Sequence, residues 1–347
     1  MVPALAVADA LRARGAGVSF LGTRDRLEAT LVPDAGFEID FLSVRALDRR
    51  NPIKALGAAA LAAAAVRTAR RALRRRGADA VMGGGGYVAG PAGVAALAAG
   101  LPLVLTEADS RLGVANRILA RRARRVCLAF PIPGLDGERY LVTGRPVPEA
   151  VLHADRDAAR RRFGIAAGEP CLLVFGGSLG ARSINESALD AFAIPPGDGR
   201  DFHVLHITGS RDHAAARERL REAGGPDRYT LVEYEPSLGD ALAACDLVLA
   251  RSGGSVFELA AAGRAAILVP YPHAAEGHQR DNAAWMADAG AAEVIDDAEL
   301  TPARLAEAAR TLLHDPARLA RMGAAARSLA RPDAADRVAA EILAASR

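Results

Sequence analysis

Lysine is almost missing from this sequence: Lys54 is the only one, and arginine carries nearly all of the basic charge. That bias fits a GC-rich genome as readily as a function. Aromatic residues are only 4% of the chain, and net charge is only +3. Two arginine-rich runs stand out, 66–76 (VRTARRALRRR) and 121–125 (RRARR). Neither contains the aromatic platforms on which nucleic-acid bases stack, so a nucleic-acid partner is not expected. The three cysteines, Cys127, Cys171 and Cys245, lie far apart in apolar runs without metal-ligand spacing. They read as buried core thiols. No apolar stretch reaches the ~18–20 residues that span a bilayer, so any membrane contact is expected to be peripheral. A basic leader with a cleavage site is lacking too, and no signal peptide is expected. No Gly-Lys-Ser/Thr follows a glycine loop and no clean dinucleotide fingerprint occurs, which disfavours P-loop and nicotinamide enzymes. No cofactor and no metal are expected.

What is present is globular: 51% hydrophobic and 24% charged residues over 347 positions, enough for two α/β domains with full cores. Short apolar runs alternate with longer amphipathic ones, the pattern of parallel sheets. Helices are predicted at about 3–14, 53–76, 90–99 and 113–122, with strands at 18–23, 37–43, 78–83, 101–107 and 125–130. The Pro/Gly-rich stretch 131–148 is weak in periodicity, and the domain linker is expected at its end. The second half predicts strands at 171–177, 202–209, 229–234, 246–252, 265–271 and 291–297. Its predicted helices include 155–163, 237–244, 255–262, 279–289 and the C-terminal segments. The expected domains are 1–148 and 149–331, with helix 332–347 packing back on the first.

Three strand–glycine loop–helix junctions carry the chemistry. They are Gly83-Gly84-Gly85-Gly86, Gly176-Gly177-Ser178-Leu179-Gly180, and Ser252-Gly253-Gly254-Ser255. Glycine lets the backbone approach a ligand closely, and a following helix start favours negative charge, so such loops suit a diphosphate.

The segments GGSLGARSIN (176–185), HITG (206–209), RSGGS with FELAAAG (251–263) and ILVPYPHAAEGHQRDNA (267–283) resemble the C-terminal half of MurG-type transferases. VPALAVADALRARG (2–15), GGYVAGPAGVAA (85–96) and GVANRILARRA (113–123) resemble their N-terminal half. The resemblance implies the GT-B architecture, two Rossmann-like parallel-sheet domains facing across a cleft. It implies inverting transfer of N-acetylglucosamine from its UDP donor to the muramyl 4-hydroxyl of lipid I, giving lipid II. It also places the chain peripherally on the cytoplasmic face of the cell membrane, with helix 53–76 against an anionic surface. By resemblance Ser178, with Gly177 and Gly180, binds the donor diphosphate, Glu258 holds the ribose hydroxyls, and Gln279 contacts the transferred sugar. Gly253, Ser255 and Glu235 complete the donor set. Asp109 is a candidate on the acceptor side, Arg145 is the nearest substitute for a diphosphate-binding arginine, and Glu107 is the candidate catalytic residue.

The chain departs from the family pattern in four places. A Gly-Gly-Thr-x-Gly-His loop, whose histidine is a favoured base, normally precedes the segment Val2-Pro3; here the chain opens on a helix. Asp109 replaces an asparagine, Pro148 stands where an arginine is common (Arg145 being the nearest substitute), and the third loop is one residue short. A start placed too late is the expected cause of the first departure, with poor folding of the first domain and little turnover as its consequences. The alternative readings are another GT-B UDP-sugar:lipid transferase and a catalytically dead UDP-sugar-binding protein.

Overall fold

The computed structural model describes residues 1–44, 52–177, 180–193, 201–274 and 277–346, the side chains of 52–60 and 87 excepted. It divides into two compact units, Met1–Val147 with Arg331–Arg347, and Pro148–Ala330. The first runs α1 (Val2–Arg12), β1 (Ser19–Gly22), α2 (Glu28–Asp34), β2 (Glu38–Phe41), α3 (Pro52–Arg76) and β3 (Val81–Gly83). It continues α4 (Gly86–Ala98), β4 (Leu103–Glu107), α5 (Val114–Leu119), β5 (Arg125–Leu128) and β6 (Tyr140–Val142). All pairings are parallel, yet the strands form two sheets, β1-β2 and β3-β4-β5-β6. Among the described residues no ladder joins β1 to β3. β1 and β3 each stand at the edge of their sheet, with a ladder on one side alone among the described residues. The C-terminal helix Ala334–Ala345 packs Val338, Ala339 and Ile342 onto Val7 and Leu11 of α1 and onto Val104 and Cys127.

The boundary between the units falls at Val147/Pro148, at the end of the Pro/Gly-rich stretch, while the stretch itself contains β6, which pairs with β5 from Tyr140 to Val142. A three-residue edge strand among prolines and glycines has little pattern of its own, and a ready partner ladder overrides it. Helix α2 likewise has no counterpart among the elements expected from sequence; it contains Pro33, which tells against a helix on local pattern alone.

The second unit runs α6 (Glu149–His153), α7 (Arg156–Phe163), β7 (Cys171–Phe175), α8 (Arg182–Phe192), β8 (His203–Ile207), α9 (His213–Glu222) and β9 (Tyr229–Val232). Then come α10 (Leu238–Ala244), β10 (Leu247–Ala250), α11 (Val256–Ala262), β11 (Ala265–Leu268), α12 (His278–Asp288) and β12 (Ala292–Val294). Helices α13 (Pro302–Leu313) and α14 (Pro316–Leu329) close it, and α15 (Ala334–Ala345) returns to the first unit. Local signals set the helix ends. Asp155, Thr301 and Asp315 accept a hydrogen bond from the backbone N–H three residues on, and Gly164 and Gly263 stop α7 and α11 in the left-handed conformation.

The six parallel strands lie in the order β9-β8-β7-β10-β11-β12. β7, β8, β10 and β11 are buried along their whole length, as strands covered on both faces must be. Chain order reverses between β7 and β10. At such a switch point the loops leave in opposite directions and open a crevice beyond the strands' carboxyl ends. The loops that leave β7 and β10 are the second and third glycine loops.

Candidate active site

The second loop is seated on a buried polar floor. Gly180 has φ +77°, a left-handed conformation, and a Cβ there would stand under 3.0 Å from the Thr208 carbonyl oxygen, so only glycine fits. The Gly180 N–H donates to the Gly177 carbonyl (2.9 Å), closing the turn. Beneath it Asn185 donates from Nδ2 to the Thr208 carbonyl (3.0 Å) and to Asp212 Oδ2 (2.9 Å). Its Oδ1 faces His206 Nε2 at 3.1 Å, and His206 Nδ1 lies 2.8 Å from the Tyr229 hydroxyl. Because Asn185 Oδ1 can only accept, Nε2 of His206 carries the proton and Nδ1 accepts from Tyr229.

Burial, and then the neighbouring His213, push His206 down to about 3 from an ordinary 6.5. The unfolded chain therefore takes up this proton first, and stability is lost as pH falls from about 6.5 toward 3. Thermal unfolding of the second unit should weaken steadily across that window. A His206→Gln variant, less stable at neutral pH, should show a shallower dependence; equal slopes would count against this.

The third loop is organised by Arg251. Its guanidinium, 11% exposed, donates to the Val269 carbonyl (3.1 Å) and to Ser183 Oγ (2.8 Å), and pairs with Asp297 (2.6 Å). Ser183 Oγ also donates to Asp297 (2.7 Å). One side chain thus links the start of α8, the end of β10, the end of β11 and the turn after β12. Ser252 Oγ donates to the Gln279 carbonyl (2.7 Å), and Asn282 donates to the Ser252 carbonyl (2.9 Å). Gln279 accepts from the Tyr271 N–H through Oε1 (2.9 Å), so its Nε2 is the end turned toward Gly253. Ser255 precedes α11, and Glu258 sits half-buried in that helix's first turn. Ser178 lies outside the described residues. His273 stacks edge-on with Tyr271; among the described residues no group of three His, Cys, Asp or Glu is placed to hold a metal ion.

In the first unit, Gly84–Gly86, Glu107, Asp109 and Arg145 all follow strand carboxyl ends. Glu107 is buried and its carboxylate is fully occupied. Oε1 accepts from the N–H groups of Ala108 (3.0 Å) and Asp109 (3.3 Å), Oε2 from the Gly113 N–H (2.8 Å) and Asn116 Nδ2 (2.9 Å). A carboxylate has about four acceptor positions, and these four donors take them. This geometry has Glu107, the candidate catalytic residue, shaping the 108–113 loop. Asp109 and Arg145 are half-buried beside that loop and after β6. Glu235 is also occupied, accepting from Arg162 (2.7 Å) and from the Ser237 N–H (2.8 Å). Arg162 also pairs with Asp240 in the first turn of α10 (2.8 Å), which ties α10 and the turn before it to α7.

The residues that sequence reading missed are the ones underneath: Arg251, Asn185 and Asn116. All three lie inside quoted motifs, but their partners stand 9 to 68 positions away. The buried thiols match expectation; burial raises Cys127 and Cys245 to about 12 and Cys171 well above the usual range, which keeps them unreactive.

Residues 1–128 match the glycosyltransferase family 28 N-terminal domain, and 171–338 its C-terminal domain. The UDP-N-acetylglucosamine–N-acetylmuramyl-(pentapeptide) pyrophosphoryl-undecaprenol N-acetylglucosamine transferase of Halorhodospira halophila is 42% identical, over 97% of this chain and 92% of that protein. The protein of the same name from Clavibacter michiganensis is 41% identical, over 97% and 91%. The crystal structure of Acinetobacter baumannii MurG superposes with a TM-score of 0.73 at 32% identity, covering 99% of this chain and 95% of that one. Two α/β units with parallel sheets, glycine loops at the strands' carboxyl ends, and this similarity along nearly the whole length have one reading: the chain is a hexosyltransferase of GT-B fold and belongs to the MurG family.

Proposed function

We propose that this chain transfers N-acetylglucosamine from UDP-N-acetylglucosamine to the muramyl 4-hydroxyl of lipid I, forming lipid II for peptidoglycan. The observation that carries this is the similarity to transferases of that name over 97% of the chain, together with a donor side whose loops are tied in place residue by residue. The hydroxyl oxygen bonds to the anomeric carbon with inversion, the bond from that carbon to the diphosphate breaks, and the hydroxyl proton passes to a base. Negative charge grows on the leaving UDP. Backbone N–H groups around Gly177, Gly180, Gly253 and Ser255, with Ser178, take that charge; Glu258 binds the ribose diol, and the Gln279 Nε2 amide faces the sugar. Glu107 holds the acceptor-side loop carrying Asp109, and Arg145 supplies positive charge beside it.

The direct test is label transfer from UDP-N-acetylglucosamine to lipid I, run beside a glycerolipid acceptor. Transfer only to the glycerolipid would favour another lipid transferase. UDP binding without transfer would favour a non-catalytic binder. Glu258→Ala should weaken UDP binding by about 1.5–3 kcal/mol, the worth of charge-assisted bonds; unchanged affinity by calorimetry would remove Glu258 from the donor site.

We further infer a peripheral place on the cytoplasmic face of the cell membrane, through α3. No helix among the described residues is long and apolar enough to cross a membrane. Arg75 and Arg76 are engaged by Asp40 and Glu38, while Arg67, Arg70, Arg71 and Arg74 have no such partner among the described residues. Each exposed arginine near anionic lipid contributes ~1 kcal/mol, screened by salt. Flotation should require anionic vesicles at low salt; no association under those conditions would rule out this placement.

A further inference from the structure

The turn between β8 and α9, residues 208–212, lies against the second glycine loop. Its Gly209 N–H donates to the Glu233 carbonyl (2.9 Å), which fixes the turn to the segment that follows β9, and the Thr208 carbonyl stands against Gly180. Two guanidiniums flank this junction. Arg211 donates from Nη2 to the Gly180 carbonyl at 3.4 Å, and its Nε stands 3.7 Å from Asp212 Oδ1. Arg182, the first residue of α8, brings its Nε to 3.8 Å from the same oxygen. Among the described residues Asp212 is the one carboxylate within ion-pair distance of either arginine.

Asp212 is not used as its position suggests. It stands at the start of α9, where an aspartate ordinarily caps the helix, yet its side chain accepts no hydrogen bond from that helix. Oδ2 accepts from Asn185 instead (2.9 Å), and Oδ1 faces both guanidiniums at distances too long for a hydrogen bond. Two positive charges thus share one negative charge, so the junction carries a net positive charge beside the loop. Arg211 has one long hydrogen bond, its Nη1 makes none among the described residues, and its side chain is 55% exposed. A guanidinium offers five N–H donors in a planar fork that matches two phosphate oxygens at once. The fold therefore sets an under-bonded cation next to the backbone N–H groups of a loop suited to a diphosphate.

Resting on the reading of this loop as the donor site, we propose that Arg211 is a further donor-binding residue. It leaves the Gly180 carbonyl and places its guanidinium on the diphosphate of the UDP-sugar, while Asp212 keeps it beside the loop. The test is calorimetry of UDP with the full chain at low and high salt, with thermal unfolding of each variant. The variants are Arg211→Lys, Arg211→Gln and Arg211→Glu. The control is Arg217→Glu, an exposed arginine further along α9 whose reversal changes net charge as much as Arg211→Glu does. Arg211→Gln should weaken UDP binding roughly tenfold and Arg211→Glu further still, while Arg211→Lys should lose about threefold, since an ammonium keeps the charge without the fork. Melting temperatures should stay at the parent value, and the salt dependence of binding should be shallower in Arg211→Gln than in the parent chain. The control should bind UDP as the parent does. An arginine whose only task is to hold the Gly180 carbonyl gives another pattern: Arg211→Gln and Arg211→Glu lose the same affinity, and the salt dependence does not change. That pattern, or parent-like affinity in Arg211→Glu, overturns the inference. In the latter case, lost affinity in Glu258→Ala would show that the donor reading itself still stands. Failure of the parent chain to bind UDP would remove the donor reading and this inference together.

Discussion

Gly180→Ala should reduce UDP affinity roughly tenfold or more, the equivalent of about 1.4 kcal/mol. Two costs meet at this residue. A side chain at φ +77° is strained by ~1–2 kcal/mol, and the new Cβ would run into the Thr208 carbonyl, which Asn185 already holds. Relief of the overlap requires Gly180 to move away from Thr208, and its N–H group moves with it. Gly168 supplies a matched control: its φ is also +77°, but a Cβ there would meet nothing within 4 Å. Gly168→Ala should cost about 1–2 kcal/mol of stability and leave UDP affinity alone. Calorimetry with UDP and thermal unfolding of both variants separate strain from displacement. If Gly180→Ala binds UDP as tightly as the parent chain, the loop does not hold the nucleotide as described.

Arg251→Ala should be the more damaging change. It removes the hydrogen bonds that join three chain segments and leaves Asp297, 23% exposed, without its counter-charge. Breaking one side of such a partly buried pair costs about 3–5 kcal/mol. Arg251→Lys is expected to recover only part of this. A single ammonium can meet Asp297 but cannot also reach Ser183 and the Val269 carbonyl, which the two arms of the guanidinium serve at once. The measurements are denaturant unfolding, and the UDP titration at a temperature where each variant is folded. A lysine variant with full stability and full affinity would show that charge alone matters here and that the forked geometry does not.

Much of this protein could be read without coordinates. The alternation of apolar and amphipathic runs pointed to two α/β units, because strand and helix periods are properties of consecutive residues. The glycine loops were legible for the same reason: their physics acts within three or four positions. Gln279 and Glu258 became candidates through contiguous motifs that resemble those of the family. Which carboxylates are free was a different matter. Glu107, a candidate catalytic residue by resemblance, turns out to be surrounded by four donors, and Glu235, a candidate for the donor set, has Arg162 against it. The division of the first sheet, the pairing of β6 and the meeting of two glycine loops at the β7–β10 switch point depend on strand order, which no local pattern encodes. Arg251 meets Ser183 across 68 positions of sequence. A side chain's lone pairs and charge are spent on whichever groups folding brings near, and that choice is made by long-range packing rather than by its neighbours in the chain.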